Sequence, residues 1–279
     1  MTFKEAWESK IDENNLPLYM RGVIEYEFKD FKNKVFNPTD EFVNSITNSL
    51  IKGDIFIIRN AINAESIEEM KKRVFNWSQS TDDSFHKILE GAPNFKRKVD
   101  DEISKEYQHN SIWNAHHFFR WNKDELDLFK EVDDCWSVLK VLSGYKKDSY
   151  MKNTPKDIIV DRLQFQHYPK GGGYLQLHSD PYEIMKTLAC VKLSQKGVEY
   201  KDGGIYFINE KEEKINVEDH INIGDLYFSF PWVLHGIDQI DKEESDIKWN
   251  SIEGRWLMLL TMVSSNVIKD EEREDVIVY

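Results

Sequence analysis

The second half of the chain is a series of short β-rich runs, and no other feature constrains the fold as strongly. The runs fall at 159–168, 174–178, 187–193, 204–208, 225–230 and 255–263, parted by clusters of Gly, Asp, Asn and Pro. Many short strands with regular turn signals make a sandwich or a barrel. The first half reads differently. An apolar run at 54–59 predicts a buried strand. Asn63, or Ser66 with Glu69 in capping-box spacing, then opens a helix through Gln79. A second helix is expected over 124–142, where Leu126, Phe129, Val132, Trp136, Leu139 and Val141 recur mostly at helical spacing and Gly144 stops it. Residues 1–50 read as an irregular or helical cap. The expectation is a mainly β chain with helices, one domain over 1–279. A mostly helical first half (1–150) packs against a C-terminal jelly roll (155–265).

Composition narrows the function classes. Hydrophobic residues make up 40% of the 279, enough for a sizeable core and too many for a disordered chain. Lys plus Arg number 37 against 50 Asp plus Glu, a net charge of −13, which disfavours nucleic acid and anionic membranes as partners. Two cysteines, Cys135 and Cys190, cannot build a disulfide framework and read as buried fillers. The opening residues hold no apolar run of the secretory kind, and no stretch is long enough to span a bilayer. A cytoplasmic protein acting on a small molecule is expected.

The chemistry concentrates in two stretches. His178 and Asp180 are two residues apart, a spacing that in extended backbone points both side chains to one side. His235 offers a second imidazole downstream. Two His and one carboxylate on one face of a metal leave coordination positions open, as in the facial triad of non-haem Fe(II) oxygenases. Arg255 follows on a β-rich run, where a planar guanidinium suits two-point binding of a carboxylate.

His178, Asp180, His235 and Arg255, in that order within a β-rich half, resemble the Fe(II)/2-oxoglutarate-dependent dioxygenases. The run Gly224, Asp225, Leu226 with Leu234, His235, Gly236, and the strand-to-helix opening at 55–66, are most similar to the phytanoyl-CoA hydroxylase branch. The likeness spans roughly 50–265. It implies a double-stranded β-helix of cupin-like type, with Fe(II) on His178, Asp180 and His235 and the distal carboxylate of 2-oxoglutarate on Arg255. It also implies O₂ as oxidant, hydroxylation of a small molecule, and release of succinate and CO₂. The gap from His235 to Arg255 is longer than is common in that superfamily, and the polar stretch 241–254 reads as an inserted surface loop. Two other classes compete. A cupin-like isomerase or lyase would use the metal without 2-oxoglutarate, with Arg255 on the substrate. A jelly-roll binding module would leave the ordered metal set unexplained.

Weaker candidates complete the set. Tyr168, Gln166 and Thr187 are expected near the co-substrate, although a Tyr on a half-buried strand is as readily a packing residue. Lys96, Arg97 and Lys98 form a basic triplet that is by default a solvated face and otherwise a patch for an anionic substrate. His116 and His117 are adjacent, so on a strand they point to opposite faces and make a poor chelating pair; either is a candidate substrate contact. Gly171, Gly172 and Gly173 lack the Lys-Ser/Thr helix opening of a phosphate loop and read as a turn. Should Arg255 not hold the co-substrate, Lys192 and Arg162 are the next basic residues.

Overall fold

The structure, a computed structural model, describes residues 1–86, 92–106, 110–154 and 157–265; the end of the expected domain, beyond 265, lies outside them. The described part of the first half holds helices α1 (Phe3–Lys10), α2 (Phe28–Phe36), α3 (Asp40–Ile51), α4 (Ala64–Gln79) and α5 (Phe129–Leu142). It also holds strands β1 (Gly22–Glu27), β2 (Asp54–Arg59), β3 (Phe95–Val99) and β4 (Ser111–Phe119). Then follow β5 (Ile159–Pro169), β6 (Gly173–His178), β7 (Leu188–Lys192), β8 (Gly204–Ile208), β9 (Lys214–Asn216), β10 (Leu226–Ser229), β11 (His235–Ile240) and β12 (Gly254–Ser264). Among the described residues no helix is long and apolar enough to cross a membrane.

The last eight strands form two antiparallel layers, β10-β7-β12-β5 and β6-β11-β8-β9. The chain crosses between layers at almost every connection, which is the winding of an eight-stranded jelly roll. β4 links them, pairing β5 through Asn114–Phe119 and β6 through Ser111 and Ile112. The first half is therefore less helical than its sequence suggests. β3 and β4 extend the first layer at one edge, and β2 and β1 extend it at the other.

Register sorts the first layer's residues by face. Ile57, Tyr227, Cys190, Leu259, Gln164, His117 and Phe95 stand directly across from one another on successive strands, so their side chains share a face. This inner face looks toward the second layer. The other face carries Phe56, Phe228 and Trp256 and lies under the helices. Phe228 packs on Phe56 with ring centroids 5.1 Å apart and on Phe31 of α2 at 6.0 Å, while Trp256 meets Phe75 of α4 at 6.5 Å. One buried apolar cluster runs from Phe3 to Met262 and so joins both halves of the chain.

Local signals explain the helix ends. Asn63, not Ser66, caps α4, its side-chain oxygen accepting from Glu65 N at 2.7 Å. The second helix starts five residues later than its apolar spacing suggests. Asp124 instead ties off a preceding turn, accepting from Leu128 N and Phe129 N at 2.9 and 3.0 Å. The Gly-rich turn is a turn as expected. Gly171 has φ +84°, and a Cβ there would lie 2.2 Å from Asp246 O, so glycine lets the 241–254 stretch close over it. Cys135 and Cys190 are both buried and unbridged.

Candidate metal centre

His178 ends β6 and His235 begins β11, and the two residues are direct partners across the ladder. Pairing alone brings their rings to a centroid separation of 4.3 Å. Each ring is oriented by its own strand: His178 Nδ1 lies 2.9 Å from Gln176 O, and His235 Nδ1 lies 2.9 Å from Val233 O. A ring whose Nδ1–H donates to a carbonyl turns the lone pair of Nε2 outward, the arrangement that metal-ligating His residues use. Asp180, held by its amide to Pro231 O at 3.0 Å, brings Oδ2 to 3.2 Å from His235 Nε2 and 3.6 Å from His178 Nε2. One ligand atom from each residue lies within 4.8 Å of the others. The His178 and His235 side chains are 5% and 6% exposed and that of Asp180 30%, so the cluster is walled by protein and open on the carboxylate side. Two imidazole nitrogens and one carboxylate converging this way can hold a divalent cation by one face.

Arg255 is fully buried. Its Nε donates to Glu218 Oε2 at 2.7 Å, and Nη2 lies 3.3 Å from the Tyr227 hydroxyl. Nη1 is enclosed and has no hydrogen-bond partner. Lys192 shares the same counter-ion: its ammonium donates to Glu218 Oε1 at 3.0 Å and to the carbonyls of Glu218 and Ile221 at 3.0 and 2.7 Å. Tyr200 OH, at 2.5 Å, and Ile205 N, at 2.8 Å, complete the shell of the carboxylate. Burial alone would raise the Glu218 pKa, but Arg255 and Lys192 outweigh it and hold the group at about 2. The knot thus contains two cations and one anion, all buried. One positive charge is in excess, with an orphaned N–H beside it. Nothing in the sequence around Glu218 marks it. A lone Glu between Val217 and Asp219 has no periodic or motif signal.

The remaining expected residues divide by face. Tyr168 stands directly across from Arg255 in the β5–β12 ladder, its ring centroid 5.9 Å from the guanidinium carbon, and its hydroxyl donates to Gln166 Oε1 at 2.8 Å. Burial pushes the Tyr168 phenol and the Cys190 thiol upward, the latter to about 12, and the nearby Asp180 carboxylate acts in the same direction on both. The triad thus overlooks the strip bearing Tyr168, Gln166, Cys190 and Arg255. Thr187 sits just before β7 with its hydroxyl buried and unpartnered, and among the described residues no contact ties it to the triad or to Arg255. The basic triplet is not one patch. Lys96 and Lys98 share the outer face with His116, across from it and from Asn114 respectively, whereas Arg97 and His117 point inward. His116 stacks on Trp256 at 5.5 Å, and burial lowers its pKa to about 3. With Lys96, Lys98, His167 and Trp249 it lines a cleft on the side of the sheet away from the metal ligands. Strand alternation thus puts Lys96, Lys98 and His116 on the face opposite to Arg97 and His117.

No protein-family model matches the chain, and no curated protein does. Several solved structures match at low identity. A Pseudomonas putida prolyl-4-hydroxylase is 11% identical, with 78% of this chain and 95% of that one covered and a TM-score of 0.46. A full-length Neurospora crassa protein in complex with alpha-KG is 12% identical, covering 96% and 95%, with a TM-score of 0.46. A putative 2OG-Fe(II) oxygenase family protein from Caulobacter crescentus is 11% identical, covering 86% of each chain, with a TM-score of 0.45. At such scores the likeness assigns no activity, and the site's own geometry has to.

Proposed function

We propose that this chain is an Fe(II)- and 2-oxoglutarate-dependent oxygenase that hydroxylates a small molecule. The observation that carries the reading is the pairing of two unlike sites on one inner surface. One is a three-ligand cluster suited to a divalent cation. The other is a buried, net-positive guanidinium site suited to a carboxylate. A buried charge in excess is costly, and the distal carboxylate of a dicarboxylate would neutralise it while accepting from the orphaned Nη1. His178, Asp180 and His235 would hold the iron and Arg255 the co-substrate. Bound there, Fe(II), 2-oxoglutarate and O₂ supply the oxidation of a substrate C–H bond, with succinate and CO₂ released.

The chain's own contribution is position and dryness. Glu218 holds the Nε edge of Arg255 and leaves its outer edge to a ligand. Tyr168 and Gln166 offer polar atoms beside it, and Leu257 and Leu259 face the same space without competing for water. The placement nearest the phytanoyl-CoA hydroxylase branch rests on sequence resemblance alone, and the two stretches that carry it meet in the fold. Asp225 accepts from Arg59 Nη1 at 2.6 Å and from Asn60 N at 3.0 Å. The test is direct. His178→Ala or His235→Ala should lose most of the iron under a chelator challenge that the parent survives. Arg255→Ala should retain iron and bind 2-oxoglutarate roughly 30-fold to several thousand-fold more weakly, from about 2–5 kcal/mol per truncated buried pair. Full iron occupancy in the His variants, or unchanged 2-oxoglutarate affinity in the Arg variant, contradicts the assignment.

A further inference from the structure

The outer face of the first layer carries a cleft that has no part in the metal centre. Two cross-strand rows floor it, Lys98, Asn114, His167 and Trp256 in one and Lys96 and His116 in the next. α4 adds Phe75 to its lining, and the 241–254 stretch adds Trp249. That stretch is fastened to the sheet here. Asn114 Nδ2 donates to Trp249 O at 3.4 Å, and His167 Nε2 lies 2.9 Å from Glu253 O. The loop that lengthens the gap between His235 and Arg255 thus makes one wall of the cleft.

Polar capacity is left over once the protein's own contacts are counted. The Nδ1–H of His116 donates to Phe165 O at 3.1 Å. Nε2 is then a bare acceptor, and among the described residues nothing donates to it, although the residue is only 1% exposed. Burial first, then His167 and Lys96, hold the ring neutral with its pKa at about 3. The Lys98 ammonium has no hydrogen-bond acceptor among the described residues. It stands 4.5 Å from the Trp249 ring centroid and 3.6 Å from Asp100 Oδ2. The Lys96 ammonium gives one hydrogen bond, to Ser78 O at 2.9 Å, and lies 3.7 Å from the exposed Asp83 carboxylate. Each ammonium has three N–H donors, so both keep some to give. His167, pushed down to about 4 by burial, is neutral as well. Lys96 and Lys98 against Asp83 leave the lining with one positive charge in excess.

We propose that this cleft is a second ligand site, for a small aromatic carboxylate that also bears a hydroxyl or N–H group. The carboxylate lies on Lys96 and Lys98, the donor on His116 Nε2, and the ring against Phe75 and Trp249. One negative charge matches the excess, whereas a phosphate monoester, at about −1.5 to −2, overshoots it. A neutral imidazole whose N–H is already engaged can only accept, so the ligand has to bring the proton. The half-buried rings of Phe75 and Trp249 suit a planar body. The inference is independent of the reaction at the triad, since the cleft lies on the other side of the sheet.

The experiment titrates three probes by calorimetry into the full-length protein, with and without saturating Mn(II) and 2-oxoglutarate. The probes are 4-hydroxybenzoate, benzoate and 4-hydroxybenzamide. The first should bind saturably in both conditions. Benzoate, which lacks the donor, should bind severalfold more weakly, and the uncharged amide roughly tenfold more weakly or worse. The Lys96→Gln/Lys98→Gln double variant should weaken 4-hydroxybenzoate by roughly tenfold or more. His116→Phe keeps a ring against Trp256 and should bring 4-hydroxybenzoate down to the affinity of benzoate. No saturable binding of 4-hydroxybenzoate, equal binding of the amide, or unchanged binding in the double variant would each overturn the inference, as would a His116→Phe protein that still prefers the hydroxylated probe. The two lysines are half-buried on an edge strand, so the double variant decides the matter even if His116→Phe fails to fold.

Discussion

At Glu218 one carboxylate answers two buried cations, and its removal is the sharpest single-residue test of the Arg255 site. Glu218→Gln leaves Arg255 and Lys192 enclosed without a counter-charge, an expected loss of about 3–5 kcal/mol. Urea unfolding of parent and variant measures it, and a difference under ~1 kcal/mol would show that the knot is not what keeps Arg255 buried. The same carboxylate sets a pH dependence. Its folded pKa of about 2 lies below the unfolded value of about 4.3, so its stabilisation is full above ~4.3 and is lost as pH falls toward 2. The gap between parent and Glu218→Gln should therefore narrow on acidification, and a gap that stays constant from pH 6 to 3 would contradict the assignment. At this scale the sequence was informative where spacing encodes geometry. His178 and Asp180 announce a shared side, and neighbouring His116 and His117 announce opposite faces. It was silent on Glu218, because a counter-ion brought in by a separate turn leaves no trace in local pattern. Adjacency in the Lys96, Arg97 and Lys98 run does not mean a shared face either, since strand alternation deals the three charges to two faces.

Among the elements, the β6–β11 ladder does most to build the metal centre, because register alone sets His178 opposite His235. Gly236 is the weak point of that ladder. A Cβ there would lie 2.5 Å from the Tyr206 hydroxyl and 3.0 Å from Leu175 O, so Gly236→Ala must displace the buried Tyr206 ring or push β11 away from β6. It should lower Mn(II) affinity by roughly 10-fold or more, as loss of ligand orientation typically does, although it alters no ligand. Calorimetry or a metal-dependent thermal shift reads this, and parent-like affinity would show that the ladder is not what aims the imidazoles. The strands that the β-rich runs revealed are those of the roll itself, whose buried faces demand apolar residues. They hid three strands at sheet edges, β1, β3 and β9, and two interior ones, β4 and β11. Edge strands tolerate charge and are protected by it, so Glu25 and Glu27, Lys96 and Lys98, and Lys214 kept the three edge segments from reading as strands.

For the whole molecule, the helices and the second layer sandwich a single sheet whose outer side packs under the helices and whose inner side bears Arg255, Tyr168 and Gln166. A ligand bound only by the folded state adds RT ln(1 + [L]/Kd), ~2.7 kcal/mol at a hundredfold excess over Kd. Mn(II) should therefore raise the unfolding midpoint of the parent and leave that of His235→Ala unmoved. An equal shift in both would place the ion elsewhere. The jelly roll and the meeting of His178, Asp180 and His235 were legible because repeated turn signals and the ordered spacing of these residues survive as sequence pattern. How the first half's strands join the roll was not, since pairing of the expected strand β2 with β10 depends on partners far apart in the chain. The central claim is tested most directly by succinate formation. Purified protein supplied with Fe(II), ascorbate, 2-oxoglutarate and O₂, and no other substrate, should release succinate slowly, and His178→Ala and Arg255→Ala should not. Iron- and 2-oxoglutarate-bound parent that forms no succinate, or Arg255→Ala that forms it at the parent rate, would contradict the account.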